Sequence, residues 1–303
     1  MTESSSPRTA FVLAGGGSLG AVQVGMLKAL ARRGVIPDLV VGASVGAING
    51  VYFARNPTQE GVARLERVWK RLTRDSIFPF SLVTCLLGFV GMRDHLVKPA
   101  GIRSVLVKEF GGRHLEQMPM PCHVIATDVL SGAEVVLSSG PVLPALLASA
   151  AIPTIFPAVP IDDRSLMDGG VTNNTPISTA VRLGAKRIVV LPTGMPCALS
   201  TPPRAAIAVG LHALNLMAME RLQSDMDRFR SQVELVIVPP LCPLGTSPYD
   251  FSQTSELIHR ADAMTRLWLR KRGMESGDAP PEMLVHHHDA ADYSSDPIDA
   301  LPG

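Results

Sequence analysis

The sequence predicts an α/β fold with a mainly parallel sheet, and three observations predict it. Short apolar runs with the length of buried strands recur along the chain. Segments with helical spacing lie between them, which is the alternation of a parallel sheet with crossover helices. Two of the strand-to-helix junctions are built around glycine, at residues 15–20 and 42–46.

Residues 11–14 (Phe-Val-Leu-Ala) form the first apolar strand, which runs into Gly15-Gly16-Gly17-Ser18-Leu19-Gly20. Residues 21–33 have helical spacing, with Val22, Met26, Leu27 and Leu30 on one side and Gly34 placed to cap the end. Leu39, Val40 and Val41 make a second short strand, and residues 47–54 a largely buried helix. A strand lies within residues 121–129, and Glu134–Leu137 returns beside it across the Ser131-Gly132 turn. A strand ends at Asp168. Residues 175–183 read as a helix, with Pro176 near the start and Gly184 at the end. Arg187–Leu191 and residues 233–238 are further buried strands, and residues 254–272 a final helix with a basic end.

With 303 residues and 46% apolar content the chain can bury a substantial core. Residues 1–8 are polar and read as a disordered start, 9–275 as one main domain, and 276–303 as a mobile tail rich in Asp, Ser and Pro. The net charge of +1 points to neither nucleic acid nor an acidic membrane as a partner of bulk electrostatics. Cys85, Cys122, Cys197 and Cys242 are widely spaced and read as thiols of a reducing compartment, not a disulfide frame or zinc site. Residues 1–8 lack the apolar stretch of a signal peptide, so a cytoplasmic location with peripheral contact at a membrane surface is expected.

Three segments carry chemistry. The strand, glycine-rich loop and helix around Gly15, Gly16, Gly17 and Gly20 make an anion site, because N–H groups without side chains in the way can point at one oxygen. The same spacing fits a dinucleotide loop, with Asp38 as the candidate ribose ligand; the nucleoside-triphosphate loop is excluded, since Ala21 and Val22 stand where Lys and Ser/Thr belong. Gly42-Ala43-Ser44-Val45-Gly46 is the Gly-x-Ser-x-Gly pattern of a nucleophile on a sharp turn, with a helix N-terminus beneath it that favours developing negative charge. In Ser165-Leu166-Met167-Asp168-Gly169-Gly170 an aspartate is presented at a strand end; a turn aspartate is the plainer reading of that segment alone.

The order of these three segments resembles the patatin-like phospholipases. The resemblance runs over residues 9–192 and includes Ala148-Ser149-Ala150-Ala151-Ile152-Pro153, Phe156-Pro157 and the continuation Val171-Thr172-Asn173-Asn174-Thr175-Pro176. It implies a three-layer α/β/α sandwich and a serine hydrolase of carboxylic esters with a Ser–Asp dyad. Ser44 would be the nucleophile, Asp168 the base, and the N–H groups of Gly15, Gly16 and Gly17 the oxyanion hole. Gly20, Gly42, Gly46, Gly169 and Gly170 would support the motifs. A serine hydroxyl needs an adjacent base, and burial would raise a carboxylate towards that role. The implied activity is that of a lipid acyl hydrolase of phospholipase A or lysophospholipase type, working through an acyl-enzyme without metal or cofactor. The alternatives are a soluble carboxylesterase or thioesterase with the same dyad, or a nucleotide-binding module built on residues 15–20. One departure stands out: Leu19 occupies the position before the last glycine of the loop, where the family carries Arg or Lys.

A Ser–Asp–His triad would need a histidine, and His259 is the candidate by chain order; its charged helical context reads as helix surface. His286, His287 and His288 lie in the polar tail. The most apolar stretch, residues 77–92, is too short and too interrupted by Pro79, Gly88 and Gly91 to span a membrane, and reads as a core or cap helix, or as a lipid-facing lid.

Overall fold

The computed structural model describes residues 8–78, 95–194, 202, 204, 206–242, 244–271 and 273–274. The N-terminal start, residues 79–92 of the apolar stretch and the tail from 276 onward lie outside the described residues. The first part of the chain runs β1 (Thr9–Leu13), α1 (Gly20–Arg32), β2 (Leu39–Ala43), α2 (Val45–Arg55), α3 (Gln59–Trp69), α4 (Arg74–Ile77) and α5 (Ala100–Phe110). It continues through β3 (Cys122–Asp128), β4 (Glu134–Leu137), α6 (Val142–Ser149), β5 (Val159–Ile161), β6 (Arg164–Asp168) and α7 (Gly170–Asn173). The last part is α8 (Ile177–Arg182), β7 (Arg187–Leu191), α9 (Ala206–Phe229), β8 (Glu234–Ile237) and α10 (Thr254–Lys271).

The eight strands form one sheet in the order β5-β6-β3-β2-β1-β7-β8, with β4 also paired to β3. From β3 to β8 every neighbour is parallel, whereas β4, β5 and β6 join antiparallel. The parallel strands are apolar on both faces because both faces are covered. Phe11, Leu13, Val40, Val189 and Leu191 pack under α1, α2, α3 and α10. Their neighbours Ala10, Val12, Val41, Ile188 and Val190 pack under α8 and α9. Alternation along each strand thus feeds two cores, and the fold is the three-layer sandwich.

Helices α1 and α10 approach closely at Gly25, where a Cβ would meet the Ile258 carbonyl oxygen at 2.4 Å. Arg32 then reaches across to both oxygens of Asp262, at 2.8 and 3.1 Å. On the sheet, the register of β3 brings two strand ends together. Strand β2 pairs with it as far as Ala43–Ile125, and the next residue, Ala126, pairs with Asp168 at the end of β6. Strand β4 also pairs with β3 over this stretch, with Ile125 opposite Val136 and Ala126 opposite Val135. So β6 takes up the edge that β2 leaves, and the residue after β2 meets the last residue of β6.

Candidate active site

Ser44 is the residue that follows β2. Its backbone is held at φ 53°, ψ −128°, a left-handed conformation that a serine adopts only when its surroundings impose it. Gly42 and Gly46 make the turn sterically feasible: a Cβ on Gly42 would lie 2.5 Å from the Gly46 carbonyl oxygen, and one on Gly46 would lie 2.2 Å from that of Leu13. Ser149, at the end of α6, pins the turn. Its hydroxyl accepts the Ser44 N–H at 2.9 Å and donates to the Ile125 carbonyl at 2.5 Å.

The Ser44 hydroxyl donates to Asp168 Oδ2 at 2.7 Å. The other oxygen, Oδ1, accepts the Gly170 N–H at 2.7 Å. Thr127 donates to the Asp168 carbonyl at 2.8 Å, and the Asp168 N–H donates to the Ala151 carbonyl at 3.0 Å, so backbone and carboxylate are both held. Asp168 is only 6% exposed. Burial pushes its carboxyl up to about 6, against the smaller opposing pulls of the Ser44 hydroxyl and the Gly170 N–H. Burial, with the Asp168 charge added, also pushes the Tyr249 phenol up to about 12.

The glycine-rich loop lies against this pair. A Cβ on Gly15 would meet the Ser44 Cβ at 3.2 Å and Asn174 Oδ1 at 2.3 Å. The Gly15 N–H donates to the Asn174 carbonyl at 3.0 Å, and Thr193 donates to the Gly15 carbonyl at 2.8 Å. Gly15 is therefore clamped, and its N–H is already spent. The N–H groups of Gly16 and Gly17 have no acceptor among the described residues. Beneath the loop a buried polar chain fixes the end of β1. Gln23 donates to the Ala14 and Leu191 carbonyls, Asn49 donates to Gln23 and the Gly20 carbonyl, and the Trp69 indole donates to Asn49, all within 2.8–3.0 Å.

An apolar channel of about 90 Å³ opens beside Ser44. Val45, Ile48 and Tyr52 line it from one face of α2, with Trp69, Phe156 and Phe251 among the opposing residues. Ile77 and Phe78, the first two residues of the apolar stretch, line it too, and Phe78 stacks on Phe156 at 5.5 Å.

Sequence reasoning gives no role to four residues of this site. Gln23 and Asn49 are polar residues within apolar helices, a signal open to reading. Ser149 lies in a segment that carries the resemblance but without a role there, and Thr193 gives no signal beyond its small size. The other candidates fall away from the site. His259 is exposed on α10. Asp38 accepts the Thr9 N–H at 2.6 Å, at the end of β1 remote from the glycine loop, so it is not placed as the ribose ligand of a nucleotide site. Leu19 is buried in the core, where a cation would be desolvated. His286, His287 and His288 lie outside the described residues. Among the described residues no group of three or more His, Cys, Asp or Glu side chains is placed to hold a metal, and no helix is long and apolar enough to cross a membrane.

The model of the family described as patatin-like phospholipase matches residues 11–181, which includes every element of this site except Thr193, Leu191 and the residues around Tyr249 and Phe251. The chain belongs to the patatin-like phospholipase family. Among relatives in this family, patatin-like phospholipase domain-containing protein 7 of Rattus norvegicus is 31% identical over 187 residues, 61% of this chain and 13% of that protein. An NTE family protein of Mycobacterium tuberculosis is 31% identical over 186 residues, 60% of this chain and 48% of that protein. The chain thus spans half or less of the length of these curated relatives. Of solved structures, human GIVD cytosolic phospholipase A2 aligns over 86% of this chain and 57% of its own, with TM-score 0.48 and 12% identity. VipD from Legionella pneumophila aligns over 88% and 67%, with TM-score 0.45 and 13% identity.

Proposed function

We propose that this family member hydrolyses carboxylic esters of lipid acyl chains through an acyl-enzyme on Ser44. The observation that carries the reading is the 2.7 Å hydrogen bond to Asp168 from Ser44, which itself lines an apolar channel. Ser44 Oγ attacks the ester carbonyl while its proton passes to Asp168 Oδ2. A carboxyl with a value of about 6 is largely ionised at neutral pH yet basic enough to accept that proton. The tetrahedral oxyanion is met by the N–H groups of Gly16 and Gly17, whose donors are unspent, while Gly15 shapes the loop. The N-terminal end of α2 under Ser44 adds favourable potential for that charge. Asp168 returns the proton to the leaving alcohol, then takes one from the water that attacks the acyl-enzyme and passes it to Ser44 Oγ as the fatty acid leaves. The acyl chain lies in the channel, where each buried methylene contributes about 0.8 kcal/mol.

The test is labelling with a fluorophosphonate, followed by a hydrolysis panel of phospholipids, lysophospholipids and simple esters. Adduct on Ser44 and turnover of lipid esters are expected. Absence of both in folded protein overturns the assignment, and turnover of soluble esters alone replaces the lipid hydrolase with a carboxylesterase or thioesterase.

A further inference from the structure

On the far side of Tyr52 from the acyl channel lies a second pocket, of about 340 Å³, at the C-terminal end of α2. Arg55, Arg64 and Arg113 line it, with Asn56, Gln117 and Tyr52. By the rise of the helix, Arg55 is about 16 Å from Ser44, so this pocket is separate from the site of ester cleavage. We infer that it is a binding site for a phosphate-class oxyanion.

The inference rests on donors and charge. Asn56 commits its side-chain oxygen to the Thr58 hydroxyl at 2.8 Å, and Gln117 commits its own to the His114 N–H at 3.3 Å. Their NH₂ groups have no acceptor among the described residues, so both amides offer the pocket donors. Three guanidinium groups add to this, against one carboxylate, Glu109. That carboxylate lies 3.6 Å from Arg55 and 3.7 Å from Arg64, longer than the roughly 2.7–2.9 Å of a charge-assisted hydrogen bond. Neither arginine is saturated by it. Arg55 also donates to the Glu109 carbonyl at 2.8 Å and lies over the Tyr52 ring at 5.9 Å, which fixes its plane. Arg113 has no ion-pair partner among the described residues. Glu60, in the first turn of α3, and Glu116 are close in sequence but do not line the pocket, and Glu116 is engaged by the Gly140 N–H at 2.8 Å. A concave surface with net positive charge and unspent planar donors matches a tetrahedral oxyanion, free or as a phosphate monoester.

The experiment titrates the full chain with inorganic phosphate by calorimetry at low ionic strength, with chloride as the control, and repeats it with Arg64→Ala/Arg113→Ala. Both residues are exposed on the rim of the pocket, and circular dichroism serves as the folding control. Saturable binding in the wild type that weakens by about tenfold or more in the double variant is expected, the loss of at least one charged hydrogen bond. Should the double variant not fold, Arg113→Glu, a change at an exposed position, replaces it with the same expectation. A second arm measures sedimentation with vesicles containing phosphatidic acid. Arginine-dependent binding to vesicles without binding of free phosphate assigns the same chemistry to a lipid headgroup. Absence of binding in both arms, or binding that the variants leave unchanged, overturns the site. None of these outcomes depends on Ser44, so the pocket and the hydrolase reading can fail separately.

Discussion

Helix α2 has a carboxylate near each of its ends, and the two have opposite partners. Near its N-terminus Asp168 is met by a hydroxyl and a single backbone N–H, and no cation pairs with it among the described residues. Near its C-terminus Glu109 sits between Arg55 and Arg64 and accepts the Tyr52 hydroxyl at 3.0 Å. Asp168 is buried and Glu109 partly buried, and it is their company that differs most. Burial without a cation leaves a carboxyl eager for a proton near neutral pH. Glu109 instead accepts a phenol hydroxyl and stands at ion-pair distance from two guanidiniums, which links α2, α3 and α5.

The strongest way to break this contrast is at the reactive end. Ser44→Ala should lower ester turnover by about 10⁴-fold or more, measured with a p-nitrophenyl ester on protein that keeps its circular dichroism. Asp168→Asn preserves shape but accepts no proton, so turnover should drop by about 10³–10⁴-fold, while His259→Ala stays near wild type. If His259→Ala is dead and Asp168→Asn active, the dyad is wrong.

The Asp168→Asn variant also sharpens the comparison through stability. The folded value of about 6 lies above the reference of 3.8, so between those values the unfolded chain binds fewer protons than the folded one. Stability therefore falls as pH rises through that window, and the penalty persists above it. Asp168→Asn should then be more stable than wild type at pH 8, by up to about 3 kcal/mol, and lose that advantage near pH 3. Denaturant midpoints at the two pH values decide this. Activity carries the opposite sign: kcat/KM should rise about tenfold per pH unit below 6 and level off above it.

Asn49→Ala should cost about 2–3 kcal/mol, since it strands Gln23 and the Trp69 indole in a dry core, which a thermal melt will register. The smallest effect is reserved for the channel wall. Phe78→Ala removes the ring stacked on Phe156 and should slow a long-chain ester several-fold while sparing an acetate ester. Equal losses on both would mean general damage, not lost acyl contact.

Much of the molecule is legible in the chain itself. The strands around Phe11, Val40, Val189 and Val236 announce themselves as apolar runs, and Gly34 and Gly184 do take positive φ just past α1 and α8. The helix expected over residues 254–272 falls within one position of α10. Ser44 and Asp168 stand out through their motifs. What stays hidden has physical reasons. The first half of α9 is rich in apolar residues, from Ile207 through Val209, Leu211 and Leu214 to Met217, with no polar stripe to mark it as a helix. Strand β5 is three residues long and holds Pro160. The fate of the Gly15 N–H depends on Asn174, a contact between distant parts of the chain that no local pattern encodes.

The pairing of β3 has a practical corollary. Ser44 and Asp168, the proposed nucleophile and base, arrive from different strands, and only the registration of Ile125 with Ala43 and of Ala126 with Asp168 sets them side by side. A slip of one residue along β3 would reverse the faces of its side chains and pull the two groups apart. Catalytic turnover after refolding would then count molecules whose strands have found their correct partners. A compact but misaligned population would share the size and helix content of the native protein yet react with no fluorophosphonate.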